Sequence, residues 1–324
     1  MIIDSRIGGL GDAWMRLLAL YSLAALRPER RHTILISPAL VPLARMLFAD
    51  RFDIHTEGGP GVAYTHLGLR HTLGAVVSGR RFVYPFYWLM REQRRQSTFR
   101  DRLNDTAIRI ASLSGRIVLP SRGNSNTYQG FMELQALSAF RTVAVRDFDA
   151  QAKRDFAAIG SRLRVQFGNS RADGVLVFPS GTAHQVLPPR WAAEQLPDAC
   201  FAFHERDGYA GRFSEQGLRV ERFHTPEEML TLGRDARRVL VTDSFPSHVW
   251  QLMGERIVVL LSQQPRIRVV HPGFPDEQIV ASRAPCCPCR NRDRGNHSLC
   301  DAGREYCRTW TEVDYIKDVE RLLR

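Results

Sequence analysis

At 324 residues the chain is long for one domain and comfortable for two of roughly 150 each, and 44% hydrophobic content with 24% charged lets each half form a core without staples. A net charge of +11 calls for an anionic partner, whether nucleic acid, an acidic membrane surface or a phosphorylated small molecule. No apolar stretch approaches the ~20 residues of a membrane-spanning helix, and the opening MIIDSRIGGLGD has no basic segment before a long apolar run. The expected compartment is therefore the cytoplasm. Arginine supplies nearly all the positive charge, since lysine occurs only at Lys153 and Lys317. Its fork suits bidentate phosphate contacts, although a GC-rich genome produces the same excess.

In chain order, Met1 to Ile3 is a short apolar run and Arg6-Ile-Gly-Gly-Leu-Gly11 a glycine-rich turn. From Asp12 to Leu26 apolar residues recur at helical spacing: Ala13, Leu17, Leu20, Leu23 and Ala24. Strand, glycine loop and helix make the first unit of a doubly wound sheet. A second strand is predicted at 33–37 and a helix at 41–48, with the alternation continuing to about residue 165. The stretch 165–174, VQFGNSRADG, reads as a linker. Strands follow at 175–178, 200–204, 219–223, 239–242 and 257–261, with helices at 226–236 and 246–253. An amphipathic helix at 311–323 closes the chain, with Val313, Ile316, Val319 and Leu322 on one stripe. The fold class is α/β, with two Rossmann-like doubly wound domains, 1–165 and 175–324, facing a cleft, and sites expected at the carboxyl ends of the strands.

Three constellations can carry chemistry. In Gly8-Gly9-Leu10-Gly11-Asp12 the glycines let backbone approach a ligand, and Asp12 falls at a helix start. The spacing is not that of a dinucleotide fingerprint, and taken alone the motif is better read as a capping aspartate. In Val241-Thr-Asp-Ser-Phe-Pro-Ser-His248 a buried strand meets a helix with Pro246 in its first turn. Such an end offers N–H groups and a positive dipole to a diphosphate, Ser244 and Ser247 add hydroxyls, and Asp243 lies where a ligand hydroxyl is held. A well-capped helix with a satisfied His248 is the plain structural alternative. The third is Cys286, Cys289, Cys300 and Cys307, four thiolates able to close one tetrahedral structural site for zinc or iron. Cys287 is a spare able to replace Cys286, His297 can substitute for one ligand, and a reduced thiol cluster or a disulfide remains the alternative.

The first two motifs together, R-x-G-G-L-G-D at the start and V-T-D-S-F-P-S-H about 230 residues later, resemble glycosyltransferase family nine, the bacterial ADP-heptose transferases and their relatives. The cysteine-bearing tail is similar to members with an iron-binding cysteine finger. The resemblance implies a GT-B fold and inverting transfer from a nucleotide-diphosphate sugar, with no catalytic metal. It implies that Asp12 is the general base toward a glycan or protein hydroxyl, lipopolysaccharide core among the glycans. Gly9 and Gly11, the loop Ser180-Gly181-Thr182, and Asp243, Ser244, Phe245, Ser247 and His248 would then hold the donor. Two departures stand out. No lysine occurs between Thr182 and Pro188, where His184 or Arg190 would have to supply the charge, and Val249-Trp250 follows His248 where small residues are usual.

Other readings compete. A basic protein with a cysteine finger suggests nucleic-acid binding, but the finger lacks a clear recognition helix and would leave the Rossmann-like halves unexplained. A non-hydrolysing nucleotide-sugar epimerase shares the two-domain fold but wants more acid/base groups, and a catalytically degenerate relative is a further reading. The stretch Arg80 to Arg102 mixes Phe82, Tyr84, Phe86, Tyr87 and Trp88 with arginines. It suits an acceptor surface or a peripheral contact with an anionic membrane, and equally a core segment followed by a solvated helix.

Overall fold

The computed structural model describes residues 2–6, 9–26, 28, 31–58, 62–64, 82–83, 99–113, 117–118, 145–168, 174–181, 186–254, 256–262, 264, 266–287 and 305–323. These fall into two units, Met1–Phe156 and Ala157–Arg324.

In the first unit, short apolar runs form strands β1 (Ile2–Asp4), β2 (His32–Leu35), β3 (Phe52–His55), β4 (Val62–Tyr64), β5 (Phe82–Val83) and β6 (Ile117–Val118). All described pairings are parallel, in the order β3-β2-β1-β4-β5-β6. The chain winds outward from β1 to β3, then crosses back to β4 and winds the other way, so the order reverses between β1 and β4. Helices α1 (Leu10–Leu26), α2 (Val41–Phe48) and α3 (Phe99–Leu113) lie in the crossovers β1–β2, β2–β3 and β5–β6, and α4 (Val145–Phe167) follows the sheet and runs from the first unit into the second. Every residue of α1 from Ala13 to Ala24 is buried, as expected of a helix apolar almost all round. Trp14 and Tyr21 meet Phe48, each with ring centres 5.3 Å apart, and Tyr21 stands edge-on to Phe52.

The second unit repeats the plan with β7 (Gly174–Phe178), β8 (Cys200–His204), β9 (Arg219–Phe223), β10 (Ala236–Thr242), β11 (Ile257–Leu261) and β12 (Ile279–Ala281). The order β12-β11-β10-β7-β8-β9 reverses between β7 and β10. Its helices are α5 (Pro189–Gln195), α6 (Ala210–Ser214), α7 (Pro226–Leu232), α8 (Phe245–Trp250), α9 (Arg266–Val269) and α10 (Val313–Leu323). β11 is buried along its whole length, the mark of a central parallel strand covered on both faces. One core gathers Val177, Phe201, Phe203, Leu240, Leu260, Trp310 and Tyr315.

Three local expectations shift. α4 runs through Phe167, so its last turn takes up the start of the stretch read as linker. α7 stops at Leu232 with Gly233, the weakest helix former after proline, as its C-cap, and a Cβ there would meet the Trp250 ring at 2.3 Å. In α10 the buried residues are Tyr315 and Val319, while Val313 is 63% exposed. Tyr315 stands edge-on against Trp310 and sets the rotation of the helix, which leaves Val313 about 120° from the buried centre at Val319.

Candidate functional site

The loop leaving β1 carries the first motif at the reversal point of the first sheet, where ligands of open parallel sheets bind. Gly9 is the residue before α1, and its carbonyl accepts the first helical bond from Ala13 N–H at 3.1 Å. Asp12, three positions in, reaches back so that Oδ2 accepts the Gly9 N–H at 3.3 Å. That is the return half of a capping box, and it holds the half-buried carboxylate at the mouth of the loop beside Gly11. Gly8 lies outside the described residues.

Two arginines brace this strand end. Asp4, 4% exposed at the side chain, takes Arg6 in a two-pronged pair, Nε to Oδ1 at 2.9 Å and Nη2 to Oδ2 at 2.7 Å, and Arg6 Nη1 also donates to Thr56 O. Arg16, buried in α1, donates through Nε to Ser5 Oγ at 2.9 Å. A buried guanidinium is tolerable only when hydrogen-bonded, so Arg16 and Ser5 tie α1 to the loop it follows. The sequence reading passed over both. Asp4 and Arg6 share a side by strand alternation, and Arg16 is a charge set inside an apolar helix; those were the available signals.

In the second unit the other two loops leave adjacent strands, also at the reversal point. Val241 pairs with Phe178, and Thr242 Oγ1 donates to Phe178 O at 3.3 Å, so Ser180-Gly181 and Asp243 to His248 emerge side by side. Leu187 N–H donates to Pro179 O at 2.8 Å and closes the loop between them, whose residues 182–185, Thr182 and His184 included, lie outside the described residues. Arg190 sits exposed on α5. Ser244 precedes α8 in extended conformation, and its side chain does not cap the helix. Ser244 Oγ donates instead to Thr242 O at 3.1 Å. Ser247 is fully buried and its Oγ accepts from Gln251 Nε2 at 3.0 Å. Both hydroxyls are thus engaged within the protein, and the helix presents its N-terminal backbone and dipole. Phe245 is half-buried beside them. His248 is buried, its Nε2 3.9 Å from Asp243 Oδ1.

Gln251 holds this junction together. Besides Ser247 it donates to Val269 O at 3.0 Å and accepts His271 N–H at 3.1 Å, joining the turn after α8 to the chain after α9. His271 is buried, with Nδ1 3.0 Å from Pro272 O. Burial foremost, and the neighbouring His248, push its pKa from 6.5 to about 4. The unfolded chain therefore binds a proton between those values that the native state refuses. Stability is full above pH 6.5 and falls as pH drops toward 4, by up to about 3 kcal/mol. Urea titrations at pH 7 and pH 4.5 are expected to differ by less in His271→Gln than in wild type; an equal difference would discard His271 as the origin.

In the cysteine-rich segment, Cys286 is exposed and Cys307 buried, while Cys289, Cys300 and His297 lie outside the described residues. The thiol beside Cys307 is Cys287. It donates to Ser262 O at 2.8 Å and hydrogen-bonds with Cys307, which holds the Cys287 thiol protonated and lowers the pKa of Cys307. Thr309 Oγ1 lies 3.2 Å from Cys307 Sγ and donates to Ser282 Oγ at 2.7 Å. Among the described residues there is no group of three or more metal-binding side chains. Of the aromatic and basic stretch, Tyr84 through Arg95 lie outside the described residues, and Arg102 is exposed on α3.

The architecture has relatives among solved structures. The ADP-heptose lipopolysaccharide heptosyltransferase II of E. coli aligns over 99% of this chain and 98% of its own at 12% identity, with a TM-score of 0.51. A glycosyl transferase of family 9 from Veillonella parvula covers 99% and 96% at 13% identity, TM-score 0.51. The fold is that of the heptosyltransferases. The iron-containing dodecameric glycosyltransferase TibC of enterotoxigenic E. coli also shares it, over 99% of this chain and 75% of its own at 13% identity, TM-score 0.52. No family model matches the chain, and no curated protein matches it. With the GT-B heptosyltransferase architecture established, the glycine loop and the Asp243–His248 junction each stand at the reversal point of one of its two sheets.

Proposed function

We propose that the protein is a glycosyltransferase that moves a sugar, heptose foremost, from a nucleotide-diphosphate donor to a hydroxyl of a glycan or protein, with inversion. The observation that carries this reading is the pairing of Ser180-Gly181 and Asp243–His248 at neighbouring strand ends where the second sheet reverses, beside a helix start that the Ser244 hydroxyl does not cap. The N–H groups and positive dipole end of a helix start suit the charge that develops on a departing diphosphate. Asp243 and the buried His248 beside it suit the sugar and phosphates of the donor.

In the reaction the acceptor oxygen bonds to the anomeric carbon as the bond to the diphosphate oxygen breaks. Asp12 takes the acceptor proton, and the electron pair leaves on the nucleotide diphosphate. This assignment requires no metal in the chemical step. A structural zinc or iron on the cysteine segment belongs to the same reading: Cys307 and Cys287, the latter in the place of Cys286, already bring two thiols together, and Cys289 and Cys300 would complete four. The iron-containing relative supports that assignment. Among the described residues no helix is long and apolar enough to cross a membrane.

Thermal unfolding against ADP, UDP, GDP, CDP and ADP-heptose tests the donor site. A ligand at a hundredfold excess over its dissociation constant stabilises the native state by about 2.7 kcal/mol, and ADP and ADP-heptose are expected to give that upward shift. A shift with a different nucleotide would reassign the donor base, and none with any would sink the reading.

A further inference from the structure

The turn that follows His248 anchors the Asp243–His248 junction from behind through two side chains. Trp250 is fully buried, with its ring 6.1 Å from that of Phe178, the last residue of β7, and it fills the space that a side chain at Gly233 would need. Gln251, 2% exposed, uses both ends of its amide on the chain around His248. Nε2 donates to Ser247 Oγ and to Val269 O, each at 3.0 Å, and Oε1 accepts the His271 N–H at 3.1 Å. Ser247 directly precedes His248, and His271 neighbours it from the other segment. One side chain thus fixes the position of His248 from two directions. The need for such a strut lies in α8 itself. Its six residues, Phe245–Trp250, are too few to hold a helix by their own hydrogen bonds, and the bond from His248 N–H to Ser244 O is 3.4 Å long.

We propose that Gln251 is a positioning residue for the nucleotide-sugar donor: it touches no substrate, and it holds His248, 3.9 Å from Asp243, in the arrangement that receives the donor. The inference rests on the donor reading of the Asp243–His248 junction. Its physical basis is the cost of taking the amide away. Val269 O and the His271 N–H are buried, and without Gln251 each loses this partner inside the protein, so the chain around them shifts to satisfy them. Segment 269–271 and α8 then move independently, and the donor has to order them as it binds. A loss of that kind falls on bound donor and transition state alike, which raises KM and spares kcat.

Calorimetric titration of the full chain with ADP, beside steady-state kinetics with ADP-heptose, tests it. Gln251→Met keeps the volume and removes all three hydrogen bonds. It is expected to raise the ADP dissociation constant and the donor KM together by about tenfold, with kcat within about twofold of wild type. Phe213→Leu is the control, a core change against Phe201 and Phe203 that lowers the melting temperature away from the junction, and it should bind ADP as wild type does. Should Gln251→Met fail to fold, Gln251→Glu, which keeps an acceptor for the His271 N–H, is expected to show the same split. Wild-type affinity for ADP in a folded Gln251 variant would overturn the proposal, as would a loss of kcat at unchanged KM or the unfolding of both variants. Failure of the wild-type protein itself to bind ADP would instead remove the donor site, and with it the role assigned to Gln251.

Discussion

Asp12→Asn is expected to lower the turnover of sugar transfer by about a hundredfold to ten-thousandfold, the usual contribution of a positioned general base, while leaving donor affinity unchanged. The geometry makes asparagine the informative replacement. Asp12 Oδ2 accepts the Gly9 N–H at 3.3 Å, and the asparagine carbonyl oxygen can accept the same bond, so the start of α1 and the glycine loop survive. What disappears is the carboxylate's capacity to take a proton. Loss of a negative charge from the first turn costs only about 0.3–1 kcal/mol, a small change in melting temperature. The measurement is ADP release from ADP-heptose with lipopolysaccharide core oligosaccharide as acceptor, beside calorimetric titration with ADP. Near-normal turnover would reduce Asp12 to its capping role, which the structure already accounts for. Loss of both turnover and ADP binding would make it a binding residue.

The second large effect is on folding. Gly160→Ala should destabilise the second unit by about 3 kcal/mol, even though alanine is the better helix former by about 1 kcal/mol. A Cβ at this position would sit 1.9 Å from Leu252 O, and a main-chain oxygen cannot swing aside as a side chain can. Leu252 belongs to the turn Gln251–Met253 that continues α8, and Arg164, one turn further along α4, donates to Met253 O at 3.2 Å. Displacing that turn also shifts Gln251, and through it Ser247, so weaker nucleotide binding should accompany the lost stability. Gly211→Ala on α6 is the control, because nothing lies within 4 Å of its added Cβ and propensity alone should make it neutral or slightly stabilising. Urea unfolding of the two variants decides the matter: equal stability of Gly160→Ala and wild type would mean that α4 does not approach so closely.

Much of the secondary structure was legible along the chain. Strands at 200–204, 219–223 and 257–261 and the helix at 41–48 fall where apolar runs and spacing place them, since each is set by neighbours a few residues away. The phase of α10 was not legible, because its rotation depends on Tyr315 meeting Trp310 across a turn rather than on its own apolar count. The bonds made by the serine hydroxyls at the Asp243–His248 junction were not legible for a similar reason. A serine before a helix ordinarily caps it, yet Ser244 turns to Thr242 O, and Ser247 is taken by a glutamine one turn later that also binds Val269 and His271. The cysteine spacing left Cys286 and Cys287 open as alternatives, and the tertiary structure puts Cys287 against Cys307 while Cys286 is exposed.

By itself the sequence determined that there are two strand-loop-helix systems, which loops carry glycine, aspartate, serine and histidine, and that the chain carries a net charge of +11. These are matters of local pattern, composition and charge. Only the tertiary structure decided that the chain order reverses at β1/β4 and at β7/β10, which sets those loops at the two crevices of the sheets. It alone paired Asp4 with Arg6 and Ser5 with Arg16, buried Gln251 at the crossing of three segments, and left Phe99, Ile110 and Leu113 of α3 exposed. Each of these depends on which strands become neighbours or which face of a helix is buried. Contacts between residues far apart in the chain settle those questions, and no short window of sequence contains them.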